Sequence, residues 1–371
     1  MGFVPPPYPY DRLNDLKAVG QAFDGGLVDL SIGTPFDAPP ATVIEALAGS
    51  GSERSYPPSI GTEPFRAAAA GWLNRYLGLS ENRRIAPDDV RATIGSKEFV
   101  AGLPHWLKLR SPERDTVLYP AVSYPSYAMG ATLAGCRAVP VPVDDRWRID
   151  LSAVEQSDID RALCLWVNTP GNPAGGLDDL DAVADWGRRN GVLVASDECY
   201  IAFTWTGRPR SIIESGLDGV LAVHSLSKRS NLAGVRTGFY VGDPALVHYL
   251  GEVRKHAGFM APGPAQAAAI AAFADEEHVD EQRTLYLDRL QVMQKVVGEL
   301  GADAELPGGG FYLWVPAPRA DAWGFARRLA NEAGALVSPG EFYGEAAADH
   351  VRIAVVQPSD RIRLVADRLG L

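Results

Sequence analysis

The sequence predicts an α/β protein: a large domain with a mostly parallel central sheet and helices on both faces, joined to a smaller α+β domain. Three observations lead there. Short apolar runs alternate with helical patterns through the middle of the chain, as expected of strands buried on both faces and linked by helices. The chain has 371 residues, more than one small core requires. Beyond Pro264 the pattern becomes long and helical and then mixed, which marks a second domain.

The strand expectations follow in order. They are Val117–Tyr119 (VLY), Arg137–Val143 (RAVPVPV), Ala162–Val167 (ALCLWV), Val192–Ser196 (VLVAS), Val220–Ser225 (VLAVHS) and Thr237–Val241 (TGFYV). Between them, Asp178–Asn190 reads as a helix, with acids at its start and arginines near its end as the helix dipole favours. From Pro264 to about Gly301 the pattern is long and helical. Gly310–Val315 (GFYLWV), a helix, a short strand at Val351–Val356 and a last helix complete the smaller domain. The N-terminal segment, rich in proline and aromatic residues, is expected to pack onto it. Boundaries near Pro39 and Ala274 give a large domain of residues 40–274 and a small one of residues 1–39 and 275–371.

Composition narrows the function. Hydrophobic residues make up 46% and charged residues 22%, ordinary for a globular chain. The net charge of −11 argues against a nucleic-acid binder, which needs clustered Lys and Arg. Cys136, Cys164 and Cys199 are sparse and odd in number, which points to reduced thiols. The opening MGFVPPPYPYDRLNDL lacks a basic-then-apolar signal pattern, and no stretch reaches the roughly 20 apolar residues of a membrane span. A cytoplasmic protein with no membrane partner is the expectation. His105, His224, His248, His256, His278 and His350 form no metal-ligand spacing, so no metal is expected. Gly308–Gly310 lacks the surroundings of a nucleotide loop and reads as a tight connection.

Five stretches carry candidate chemistry. Ser225-Leu226-Ser227-Lys228 lies at the end of a predicted strand; a lysine there is ordinarily a solvated cap, but one that attacks a carbonyl must be deprotonated, and the two hydroxyls before it can orient both it and a phosphate. Asn168-Thr169-Pro170-Gly171-Asn172-Pro173-Ala174-Gly175 is a turn, and Asn172 in it can donate to a phenolate oxygen at the carboxyl end of a parallel strand. Asp197-Glu198-Cys199-Tyr200 follows a buried strand. Asp197 is either a helix cap or an acid that keeps a pyridine nitrogen protonated, and Tyr200 can share the phenolate with Asn172. Arg236, in Ala233-Gly234-Val235-Arg236-Thr237-Gly238, is either a surface charge or a bidentate phosphate ligand. Gly95-Ser96-Lys97-Glu98 opens a helix: Ser96 suits an N-cap, and a helix N-terminus is also a phosphate site.

The series GSKE, YPSY, NTPGNPAG, DECY, SLSK and AGVRTG resembles the fold-type I aminotransferases of the class I/II group, over essentially the whole chain. The resemblance implies pyridoxal 5′-phosphate as cofactor, with Lys228 carrying it covalently, Asp197 on the pyridine nitrogen, and Asn172 and Tyr200 on the ring oxygen. Ser96, Lys97 (through its backbone), Ser225, Ser227 and Arg236 would surround the phosphate, and Tyr124 of Tyr124-Pro125-Ser126-Tyr127 would stack on the ring. Arg352 would grip the substrate α-carboxylate under the backbone at Gly33. Tyr56 would reach the phosphate of a partner subunit, implying a homodimer with composite active sites. The partners would otherwise be small amino acids and keto acids.

Within that group, HSLSKRSNLAGVRTGFYVGDPAL, EVRKHAGFMAPGPAQAA and GGGFYLWVP resemble the N-succinyldiaminopimelate aminotransferases of lysine and cell-wall precursor synthesis. The resemblance implies N-succinyl-LL-2,6-diaminopimelate and 2-oxoglutarate as substrates, with Arg12, Lys97 and Lys255 as candidates for the distal acid. Other aminotransferases, for aspartate, aromatic or prephenate-type substrates, remain alternatives. A carbon–sulfur lyase or a regulator's effector domain on the same scaffold is disfavoured, the latter because no basic DNA-binding domain precedes the motifs.

Overall fold

In the computed structural model the chain is described from residue 3 to residue 371; Met1 and Gly2, the first residues of the expected N-terminal segment, lie outside the described residues. The chain forms two compact units. One comprises Ala38–Arg283 with Gly308–Gly310, the other the residues up to Asp37 with Thr284–Pro307 and Phe311–Leu371.

Among the described residues, the first unit holds a seven-stranded sheet. Its order is Val90–Thr93, Gly238–Gly242, Val220–Ser225, Leu193–Asp197, Ala162–Asn168, Thr116–Pro120, Arg137–Val141. The last five pair in parallel, while Gly238–Gly242 runs antiparallel to both of its neighbours. Alternate residues of each strand enter opposite cores. Val117, Cys164, Trp166, Ala195, Leu221, Val223 and Tyr240 pack with Phe99 and Leu103 of the helix Ser96–Arg110 and Leu246 and Leu250 of the helix Pro244–His256. Leu118, Leu165, Val167, Val194, Val220, Ala222 and Phe239 face the other way. They pack with Trp72 of the helix Glu63–Tyr76, Val183 of the helix Leu180–Asn190 and Ala268 of the helix Gly263–Ala274. A sheet covered on both faces has no solvent side, which is why its strands read as continuous apolar runs. Each large apolar side chain so buried contributes about 1.5–3 kcal/mol.

Local signals set the helix ends. Asp179 accepts the Ala182 N–H at 3.1 Å to cap the helix Leu180–Asn190, and Gly191 closes it at φ 59°. The long helical stretch expected from Pro264 to about Gly301 is two helices, Gly263–Ala274 and Glu277–Glu299. Asp275 makes the break: its carboxylate accepts the Glu277 N–H at 2.9 Å and the His278 N–H at 3.3 Å, capping the second helix. The strand Val90–Thr93 was not foreseen, because VRAT is too short to show a pattern.

In the second unit, Tyr312–Pro316, His350–Ala354 and Ser338–Pro339 form an antiparallel sheet, and Val28–Asp29 pairs in parallel with Ala335–Leu336.

Candidate active site

The carboxyl ends of the parallel strands bring the sequence motifs of the first unit together. Across the sheet, Asn168 pairs with Asp197, Asp197 with Val223, Ser225 with Gly238, and Gly238 with Thr93. The loops that leave these ends carry Asn172, Asp197 to Tyr200, Ser225 to Lys228, Arg236, and the turn into Ser96.

Asp197 is a buried acid of this group. Tyr127 donates its O–H to Asp197 Oδ2 at 3.0 Å, and the Cys199 N–H reaches Oδ1 at 3.3 Å. Burial pushes the Asp197 carboxyl above its ordinary range; hydrogen bonds from Cys199 and Tyr127, and the positive charge of Lys228, work against that rise. Tyr127 is fully buried with its ring stacked on Trp166 at 5.3 Å, so its phenol has little freedom to turn away. The NTPGNPAG turn is tied to the same place. Asn168 donates to the Asp197 carbonyl at 2.7 Å and accepts the Asn172 N–H at 2.8 Å. Asn172 and Tyr200 are both buried.

Lys228 does not end a strand. It sits on one helical turn, Leu226–Arg229, that follows the strand Val220–Ser225 directly. Ser225 caps that turn by accepting the Ser227 N–H at 3.1 Å. Lys97 and Tyr124 also meet, with the Lys97 ammonium 5.6 Å from the Tyr124 ring centre.

The helix Ser96–Arg110 starts one residue earlier than a Ser96 cap would require. Gly95 is the N-cap at φ 72°, with no side-chain cap, and Ser96 is the first helical residue. A Cβ on Gly95 would stand 2.3 Å from Arg236 Nη2. Only glycine lets that guanidinium lie against the helix N-terminus. Free N–H groups and a guanidinium in one cradle suit a phosphate dianion. A buried carboxylate held by neutral donors suits a cationic ring nitrogen. The residues therefore fit a phosphorylated pyridine cofactor.

The second unit contains the other candidates. Arg352, 2% exposed, donates to the Ser31 carbonyl at 2.6 Å and lies over the rings of Tyr312 and Tyr343 at 4.3 and 4.6 Å. Gly33 borders the same group, since a Cβ there would stand 2.1 Å from the Tyr312 hydroxyl. Of the distal-acid candidates, Arg12 is engaged with Glu341 at 2.7 Å and lies over Trp323 and Phe342, and Lys255 pairs with Glu252 at 3.6 Å. Tyr56 stands 91% exposed in the first unit. Among the described residues, no three His, Cys, Asp or Glu side chains are placed to hold a metal ion, and no helix is long and apolar enough to cross a membrane.

Beside Asp197 lies a buried pair that sequence reading did not single out. His224 Nε2 is 3.4 Å from Glu198 Oε2, and Glu198 Oε1 accepts the Ile212 N–H at 2.8 Å. Burial pushes Glu198 up to about 8 and His224 down to about 3, so near neutrality Glu198 is protonated, His224 is the neutral imidazole, and the folded pair has no net charge. The raised acid holds its proton where the unfolded chain releases it, so stability falls as pH rises toward about 8. The depressed histidine costs stability as pH falls toward about 3. Between the two unfolded pKa values the slopes cancel. Glu198→Gln should therefore flatten the fall in melting temperature between about pH 6.5 and 8; a wild-type slope in this variant would contradict the assignment.

Fold and strand-end groups together define a fold-type I transferase dependent on pyridoxal phosphate. Comparison with known proteins gives the family. Residues 26–369 match the family model "Aminotransferase class I and II", and the chain belongs to this family, whose members use pyridoxal phosphate. It is 40% identical to the 4-dedimethylamino-4-oxo-anhydrotetracycline transaminase OxyQ of Streptomyces rimosus, over 98% of this chain and 99% of that one. It is 31% identical to the LL-diaminopimelate aminotransferase of Aquifex aeolicus, over 99% and 96%. A probable N-succinyldiaminopimelate aminotransferase from Thermus thermophilus superposes with a TM-score of 0.86 at 28% identity, covering 98% of this chain and 99% of that one.

Proposed function

We propose that this aminotransferase uses Lys228 both to carry its cofactor and to relay the substrate proton. The observation behind this reading is the position of Lys228, one turn beyond a buried strand and within the charge field of Asp197. When bound, pyridoxal phosphate supplies a carbonyl for the amino group and a cationic ring that spreads the charge left at the substrate Cα. Asp197 keeps a proton on the ring nitrogen, and Tyr127 and the Cys199 N–H hold the carboxylate in place. Asn172 and Tyr200 donate to the ring oxygen, and Tyr124 covers the ring face. Ser96, the Lys97 N–H, Ser225, Ser227 and Arg236 hold the phosphate. With the cofactor bound, the Lys228 amine would be the group that takes the proton from the substrate Cα as base and gives it back as acid. Tyr56, accessible as it is, completes the phosphate site of a second subunit in a cytoplasmic homodimer.

Arg352 and the backbone at Gly33 take the substrate α-carboxylate. Arg352→Lys keeps the charge but loses the planar fork. Its KM for donor and acceptor alike should rise by about tenfold or more, with a smaller change in kcat. Unchanged KM values in steady-state assays would remove Arg352 from the site.

The substrate pair is N-succinyl-LL-2,6-diaminopimelate with 2-oxoglutarate, giving N-succinyl-2-amino-6-oxopimelate and glutamate. The diaminopimelate names of two of the compared proteins support it. The 40% identity to OxyQ favours a second reading, a transaminase for a large oxo-compound such as that protein's name describes. A panel assay separates the two. The first reading expects kcat/KM for the succinylated substrate to exceed that for aspartate or phenylalanine by about 100-fold. Activity confined to simple amino acids or to a polycyclic ketone would reject it.

A further inference from the structure

The helix Ser96–Arg110 carries a carboxylate, Glu98, in its first turn. An acid there ordinarily folds onto the free N–H groups of its own helix, and when ionised it repels a second anion at the same end. Glu98 is turned elsewhere. Its Oε1 accepts the backbone N–H of Ile94 at 2.9 Å, ahead of the helix. Arg254 holds both of its oxygens, Nη1 to Oε2 at 2.8 Å and Nη2 to Oε1 at 2.6 Å. Arg254 is 1% exposed, and its guanidinium lies 4.9 Å from the ring centres of both Trp106 and Phe259 and 5.4 Å from that of Phe99. The pair thus cancels the Glu98 charge where water screens it least. It also fixes Ile94, whose carbonyl accepts from Arg236 Nη2 at 3.4 Å and which precedes the Gly95 that Arg236 lies against.

We propose that Arg254 and Glu98 are positioning residues for the cofactor phosphate: the Glu98 side chain holds the Ile94 N–H, and Arg254 draws its carboxylate away from the helix N-terminus and cancels its charge, which leaves that terminus open to a dianion. This rests on the assignment of Ser96 and Arg236 to the phosphate.

The test titrates the full chain, freed of cofactor, with pyridoxal phosphate and with pyridoxal, which has the same ring but no phosphate. Arg254→Gln leaves the Glu98 charge uncompensated. It should weaken pyridoxal phosphate by about tenfold and pyridoxal by less than about twofold. The Glu98→Gln, Arg254→Gln double variant should recover most of the loss. Should Arg254→Gln fail to fold, Glu98→Gln alone decides: its amide oxygen can still accept the Ile94 N–H while the carboxylate charge is gone, so it should bind pyridoxal phosphate at least as tightly as wild type. Parallel losses for both ligands, no loss for either, no recovery in the double variant, or weaker pyridoxal phosphate binding in Glu98→Gln would each overturn the proposal. Arg236→Gln serves as the reference. If it loses pyridoxal phosphate selectively while Arg254→Gln does not, the ion pair alone is rejected. If it shows no selectivity, the phosphate assignment falls and the inference with it.

Discussion

Lys228→Ala is expected to yield a folded protein whose transaminase turnover is lower by on the order of 10⁴-fold or more. On the proposed assignment the variant loses two functions at once, the covalent hold on the cofactor and the amine that moves the Cα proton. The fold should survive, because Lys228 lies on a short turn and is only partly buried, while Leu226 and Arg229 anchor that turn from either side. Melting temperature and kcat therefore separate: the first should stay within a few degrees of wild type and the second should collapse. Circular dichroism melts beside single-turnover assays check both. Substantial turnover in the variant would remove Lys228 from the chemistry.

Asp197→Asn is expected to be the next most damaging change. Asparagine keeps the shape and can still bond to Tyr127, but it brings no negative charge to the buried position. A ring nitrogen facing a neutral amide loses its proton more readily and draws charge from Cα less well. The rate of proton removal should fall by about 10³-fold, while cofactor affinity, which the proposed site assigns largely to phosphate contacts, should change far less. Half-reactions followed in a stopped-flow instrument, with cofactor titrated separately, measure the two effects. Equal half-reaction rates in variant and wild type would contradict the assigned role.

The strands that pack on both faces were readable because their apolar runs are continuous: ALCLWV and VLAVHS appear as Ala162–Asn168 and Val220–Ser225. VRAT was not, since its place beside Gly238–Gly242 depends on a partner far along the chain. The same difference holds in the site. Lys228, Asp197, Asn172 and Arg236 stand in compact motifs with unusual local composition. Tyr127 does not, because a buried tyrosine reads as core until its hydroxyl is found on an acid 70 positions away. Glu98 and Arg254 lie 156 positions apart, and either alone looks like an ordinary helix-surface charge. The break at Asp275 has no local marker, because the acid-rich run continues the helical composition on both sides, and only the capping bonds expose it. Gly95 carried a partial signal: a glycine just before a predicted helix marks a turn, but its contact with Arg236 is a fact of the folded state.

The most direct test of the central assignment is chemical. Purified protein loaded with pyridoxal phosphate is reduced with borohydride, digested, and its peptides are weighed by mass spectrometry. A phosphopyridoxyl group on Lys228 within Ser225–Arg229, and its loss in Lys228→Ala, is the predicted result. An unmodified Lys228, or the label on another lysine such as Lys97 or Lys255, would contradict it.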